Sequence, residues 1–335
     1  EWFKDYEDTI AKSDIFFIHG DLFHKSIDYW HGDIKYIRIL TSKLGRICID
    51  NNIKIRLLEG TRSHDRDQVV NVANYLQMEF PRLDVRHYKQ IDIEYMEDLD
   101  LHILYVPDNM GTGENVFKEV EKKLLENNIT EVDLASMHGQ FDYQLPMIVD
   151  PMSHNELDYD NIVRYFINIG HIHKYNPRGK IIPQGSFDRT AHGEEEPKGG
   201  VVCHLFEDGV SYHEFLENVN ATIFKKVKLT GVPSKDEKKI RDAIKDADEL
   251  IHIRLLGNRD NPIINNIRDI KIKHPDCRFT YEYLDKHKSK SIVADNYSEI
   301  PVITKDNFCL VFQDYLNSRG NIETEGLVKE LEKYI

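Results

Sequence analysis

The stretch Asn168-Ile169-Gly170-His171-Ile172-His173-Lys174, entered through the apolar residues Tyr165-Phe166-Ile167, decides how the chain is read. An apolar run of that kind fills a buried strand. The glycine and two alternating histidines after it mark where the strand gives way to a loop. Both imidazoles can then reach one small volume. Histidine offers a neutral nitrogen lone pair near physiological pH, and glycine lets the backbone come close. Taken alone, the pair reads as two solvent-facing side chains at a strand end. The residues upstream change that reading.

Residues 14–18 form a short apolar run of the fully buried type, and it stops at His19-Gly20-Asp21-Leu22-Phe23-His24. A carboxylate directly after such a strand lies at its carboxyl end, where open α/β sheets place their ligands. Capping the next segment is the other common fate of an aspartate there; the histidines downstream favour the metal role. Residues 33–52 carry apolar side chains at helical spacing, and a second buried strand, 53–58, opens into Glu59-Gly60-Thr61-Arg62-Ser63-His64-Asp65. Strand ends that deliver ionisable groups in series are how active sites are assembled on α/β sheets. Asp65 can orient or charge His64 for acid/base work. The competing reading is a helix cap at Ser63 or Asp65 with an incidental histidine. Residues 132–137 form a third such strand, ending at His138-Gly139, and the long loop 143–155 is expected to line the site or a partner surface.

Elsewhere, residues 2–12, 69–80 and 114–127 read as helices, and 84–95, 99–106, 200–206 and 210–215 as strands. Residues 218–221 look like a boundary. Beyond it, the segment 222–230, strands at 249–256 and 278–283 and helices at 234–247 and 262–273 make a small α+β unit. A basic linker, 286–298, leads to two amphipathic helices, 304–317 and 322–334, too small to fold alone, which dock on their own protein or await a partner helix. The expected domains are therefore 1–218, 219–290 and 291–335. The chain starts at Glu1 inside a helical pattern and without methionine, so its natural beginning is expected to be missing.

Composition is that of an ordinary globular protein, 40% hydrophobic and 30% charged over 335 residues. No apolar run is long enough for a membrane span, and the four scattered cysteines predict reduced thiols in a cytoplasmic protein. The net charge of -14 argues against a uniformly basic surface that coats nucleic acid, although bound divalent ions or a local basic patch can offset it. Asp21, His138, His171 and His173 together form an oxygen and imidazole set without thiolate, which suits Mn²⁺, Fe²⁺ or Zn²⁺. A bridging carboxylate can hold two such ions about 3.5–4 Å apart, the arrangement that hydrolyses phosphate esters.

The series Gly20-Asp21-x-x-His24, Ser63-His64-Asp65, His138-Gly139 and Gly170-His171-x-His173 resembles the calcineurin-like metallophosphoesterases. The segment Gly185-Ser186-Phe187-Asp188-Arg189, followed by Gly193-Glu194-Glu195, resembles the SbcD-type nucleases of double-strand-break repair. The resemblance covers roughly residues 1–215. It implies a two-sheet α/β sandwich flanked by helices, with a small capping domain and a C-terminal helix pair. It also implies a homodimeric DNA exonuclease/endonuclease subunit that uses two divalent cations, Mn²⁺ first, and works with an SMC-like coiled-coil ATPase bound through the C-terminal helices. By the same transfer Asp21 bridges the ions, His173 holds the first, His138 and His171 hold the second, and His64 acts on the leaving oxygen. His24 would orient substrate. Ser63 stands where the family has a ligating asparagine, a weaker donor that leaves the second ion loosely held. Arg189 and Ser186 are candidate substrate contacts, and the run 194–196 either shapes a DNA groove or is a solvated face. Two other readings stay open: a phosphomonoesterase or nucleotidase on the same fold, and a DNA-end-binding scaffold weakened at Ser63.

Overall fold

A computed structural model describes residues 2–25, 27, 32–108, 111–144, 152–245 and 251–284. The expected C-terminal helices and their linker lie outside the described residues. In chain order the elements of the first part are α1 (Trp2–Ile10), β1 (Ile15–His19), α2 (Ile34–Asp50), β2 (Lys54–Leu58), α3 (Val69–Glu79), β3 (Val85–Tyr88), β4 (Asp92–Met96) and β5 (Leu101–Val106). They continue with α4 (Gly113–Glu126), β6 (Val132–Gly139), α5 (Glu156–Asp160), β7 (Val163–His171), β8 (Ile181–Pro183), β9 (Gly199–Leu205) and β10 (Ser211–Glu217). The remainder is β11 (Ile223–Lys228), α6 (Pro233–Ile244), β12 (Ile251–Gly257), α7 (Pro262–Asn265), α8 (Ile267–Lys273) and β13 (Cys277–Tyr283). This is an α/β architecture with parallel and mixed sheets flanked by helices.

Strands β1, β2 and β3 pair in parallel in that order. A second sheet runs β4-β5-β6-β7-β8, antiparallel at β4-β5 and parallel from β5 onward. Parallel pairing gathers carboxyl ends at one edge of each sheet, so the loops after β1, β2, β5, β6 and β7 become neighbours. Strand β6 buries seven consecutive residues, as befits a central parallel strand covered on both faces. The expected full burial of β1 does not hold: only His19 is buried and Ile15 to Ile18 are half-exposed, because β1 is an edge strand of its sheet.

Three apolar clusters among the described residues hold this part together. One packs Leu44, Ile47 and Cys48 of α2 and Val69, Ala73 and Leu76 of α3 on Ile55 and Leu57 of β2. Another packs α4 and Tyr159 of α5 on β6 and β7. The third draws Leu58 from β2, Tyr88 from β3, Ile103 and Tyr105 from β5, Leu134 from β6 and Phe166 from β7, so it joins both sheets. Inside that layer Arg56 is almost fully buried and is held by Glu94 at 2.7 Å and Asp84 at 2.9 Å. The hydroxyls of Tyr88 and Tyr105 donate to the same Glu94 carboxylate. A buried charge survives only when paired and hydrogen-bonded in this way.

The described residues fall into two compact units, one within Glu1–Lys225, Ala247–Ile253 and Asp276–Arg278, the other within Lys226–Asp246, Arg254–Pro275 and Phe279–Ile335. Strands β11, β12 and β13 make a three-stranded sheet in which β12 buries every second residue, Ile251, Ile253 and Leu255. The helix expected over 262–273 is two helices, because Asn266 leaves helical geometry at φ -111° and ψ 33° and ends α7 while starting α8.

Candidate metal centre

Ligand atoms of Asp21, His138 and His171 lie within 4.8 Å of one another. Asp21 comes two residues after β1; His138 is the last residue but one of β6 and His171 ends β7, where Gly139 pairs with His171 in register. Three glycines permit this meeting. A Cβ on Gly20 would stand 2.2 Å from His138 Nδ1, one on Gly60 would stand 2.1 Å from the Asp21 amide nitrogen, and one on Gly170 would stand 2.2 Å from the His19 carbonyl. Two members of the trio hold backbone conformations that side chains rarely adopt, Asp21 at φ 51° and His171 at φ 94°. Such strain persists where the surroundings over-determine it, and it concentrates at functional sites.

The hydrogen bonds fix how the donors present themselves. His138 Nδ1–H donates to the His19 carbonyl at 2.7 Å, so its Nε2 faces Asp21 Oδ2 at 3.3 Å and the Thr61 hydroxyl at 3.2 Å. The Thr61 amide donates to Asp21 Oδ1 at 2.7 Å, and its hydroxyl stands 3.4 Å from His171 Nδ1. A hydroxyl has one proton to give, so it cannot satisfy a carboxylate oxygen and two imidazole nitrogens at once. A proton on His138 Nε2 would complete the set, and so would a cation. Two imidazole nitrogens, a carboxylate oxygen and a neighbouring hydroxyl are a donor set that fits a first-row divalent ion, and a carbonyl behind the ligating histidine is the usual means of orienting it.

Electrostatics follow the same geometry. Burial works to lower the His138 imidazole, but the Asp21 carboxylate outweighs it and holds the group above its ordinary value. Burial would raise Asp21, but the hydrogen bond and charge of His138 and the Thr61 amide keep it below the carboxylate range. His171 is depressed by burial and then by the neighbouring His138. His19, buried beneath the site with Nδ1 2.7 Å from Ser136 Oγ, is pushed down to about 3 by burial and by His138, and so stays neutral.

The remaining candidates divide. His64 donates Nδ1–H to the carbonyl of His24 at 2.7 Å, and its charge contributes to lowering Asp21. The His24 side chain is exposed, with its ring 5.8 Å from that of His64. Asp65 is fully buried and accepts from the backbone amides of Gly60 at 2.8 Å, Asp21 at 2.9 Å and Phe23 at 3.2 Å; it therefore braces the loops after β1 and β2. Ser63 is exposed and makes no side-chain hydrogen bond among the described residues. The hydroxyl in the cluster is that of Thr61, directly after Gly60. His173 lies outside the trio but close enough for its charge to depress His171; its Nδ1–H donates to Glu194 at 2.7 Å. Arg189 donates to the carbonyls of Ala221, Thr222 and Glu196 and so ties loops together. Ser186 Oγ is buried without a hydrogen-bond partner among the described residues.

Thr61, His19 and Ser136 escaped the sequence reading. Thr61 carried the one available signal, its place immediately after the glycine that ends β2. No protein-family model matches the chain, and no curated protein matches it.

Proposed function

We propose that the chain is a metal-dependent phosphodiesterase that cuts DNA at its ends, built on the two-sheet sandwich of the calcineurin-like metallophosphoesterases and similar in motif to the SbcD-type repair nucleases. The observation that carries this reading is the convergence of Asp21, His138 and His171, with the His64 imidazole alongside. The apolar layer shared by β2, β5, β6 and β7 supports the sandwich. Two divalent cations, Mn²⁺ first, held by Asp21, His138, His171 and His173 beside the Thr61 hydroxyl, would supply Lewis acidity and a water acidic enough to attack phosphorus.

The protein's own contribution lies in how its groups are held. Asp65 fixes the loops that carry Asp21 and Thr61. His19 is the carbonyl anchor of His138. His64, with Nδ1–H committed to the His24 carbonyl, would act as the imidazolium, whose second proton sits on Nε2: as the phosphorus–oxygen bond to the sugar breaks, the sugar oxygen takes that Nε2 proton, while the attacking water gives up one proton to solvent and its oxygen completes the phosphomonoester. The proposal extends to a cytoplasmic homodimer that serves recombination and repair with an SMC-like ATPase bound to residues 304–317 and 322–334.

Linear duplex DNA with Mn²⁺ and the ATPase tests it. The wild type should cut, Asp21→Ala should not, and His64→Ala should be slower by roughly 10²–10⁴-fold. Equal rates for the wild type and His64→Ala would remove His64 from the mechanism. Turnover of p-nitrophenyl phosphate without DNA cutting would replace the nuclease by a phosphomonoesterase, and DNA binding without Mn²⁺-dependent cutting would leave a scaffold.

A further inference from the structure

Lys198 is 1% exposed, and nothing in the chemistry above uses it. Its ammonium donates to the backbone carbonyl of His173 at 2.7 Å and to Glu196 at 2.8 Å, and it stands 3.6 Å from Glu194. Glu194 in turn accepts the Nδ1–H of His173 at 2.7 Å, while the Thr190 amide donates to its other oxygen at 3.0 Å. His173 is thus held twice by one buried cation, directly through its carbonyl and indirectly through its ring. The carbonyl also accepts from the Ser186 amide at 3.3 Å. Burying a lysine is expensive unless it is fully paired, and this one spends its donors on the loop that carries His173 and on the carboxylates at 194 and 196.

An ionised carboxylate only accepts hydrogen bonds. Its contact with Nδ1 therefore requires the proton to be on Nδ1 and leaves the Nε2 lone pair of His173 outward. We propose that Glu194 and Lys198 are positioning residues for His173: Glu194 sets its tautomer and ring direction, and Lys198 fixes both Glu194 and the His173 backbone, so that Nε2 is preset as a donor to a cation. This rests on the metal-centre reading and deepens it by assigning the support of the donor that stands outside the Asp21, His138 and His171 trio. Carboxylates behind metal-binding histidines raise metal affinity by about 10–100-fold.

Two measurements on the full chain separate this inference from the reading beneath it. Nitrogen-15 NMR of the metal-free protein reports the His173 tautomer without any ion. The Nδ1–H form should dominate in the wild type and in Glu194→Gln and lose that dominance in Glu194→Ala. An unchanged tautomer in Glu194→Ala overturns the proposal. Calorimetric titration with Mn²⁺ should give binding roughly 10–100-fold weaker in Glu194→Ala, part of it restored in Glu194→Gln, and Lys198→Met should weaken binding in the same direction. In a His173→Ala background the Glu194→Ala change should cost nothing further, since a positioning residue acts only through the group it positions. An equal loss in both backgrounds overturns the proposal, as does a Glu194→Ala protein that binds Mn²⁺ like the wild type. A wild type that binds no Mn²⁺ but keeps the Nδ1–H tautomer brings down the metal-centre reading and, with it, the role assigned to the pair. Urea midpoints measured alongside identify a Lys198→Met protein that is merely unfolded, and Glu194→Ala, at a partly exposed site, carries the test in that event.

Discussion

His138 and Asp21 form the residue pair on which the site turns, because each holds the other's charge. His138 lies above its ordinary value of 6.5 and Asp21 below its ordinary 3.8, so without a cation they form a buried ion pair between those limits. The raised histidine contributes stability that is complete below pH 6.5 and is lost as pH rises through its elevated value. The lowered aspartate contributes stability that is complete above pH 3.8 and is lost as pH falls through its depressed value. In chelator, the difference in urea midpoint between the wild type and Asp21→Asn should therefore be greatest between these limits and shrink on both sides. A cation must displace the proton on His138, so Mn²⁺ affinity should rise as pH climbs toward that group's elevated value; calorimetry across pH checks it. The trio was legible from sequence because each member follows an apolar run at a strand end. Thr61 was not, since a hydroxyl carries no spacing signature; Ser63 was singled out by the resemblance, as the residue standing where the family has its asparagine. The turn over residues 62–67 faces Ser63 to solvent.

At the scale of elements, the meeting of β1, β2, β6 and β7 depends on glycines that bring backbones closer than a side chain allows. Gly60 is the tightest: an added Cβ would stand 2.1 Å from the Asp21 amide and 2.6 Å from its carboxylate. Gly60→Ala should cost about 1–3 kcal/mol, the usual penalty of overpacking, and, on the proposed metal centre, should weaken Mn²⁺ binding by displacing Asp21. Urea unfolding and titration measure the two effects. Periodicity located α2, α3, α4 and the strands that end at the site. It missed α5, five residues within a proline-containing stretch, since one turn of helix is too short to display a period. It also merged α7 and α8, whose apolar spacing runs unbroken across Asn266 although the backbone does not.

For the whole molecule the dominant quantity is the net charge of -14, which repels polyanions. Occupancy of the centre should stabilise the fold by mass action, about 2.7 kcal/mol when Mn²⁺ stands at 100 times its dissociation constant. For a chain of 335 residues that is a rise in melting temperature of roughly 4 °C, reversed by chelator and absent in Asp21→Asn, as differential scanning fluorimetry can follow. Alternating strands and helices made the α/β class readable, but strand order was not, because pairing between β1 and β2 or β5 and β6 is decided across helices and loops that local pattern does not connect. The order matters to the site in a further way. His138 and His171 sit on adjacent strands whose ladder holds their spacing, whereas Asp21 sits on a left-handed turn outside any ladder. The imidazole spacing is therefore set by a ladder and the carboxylate's place by the Asp65 and Thr61 bonds, so a change at Asp65 would shift the carboxylate and leave the imidazoles where they stand.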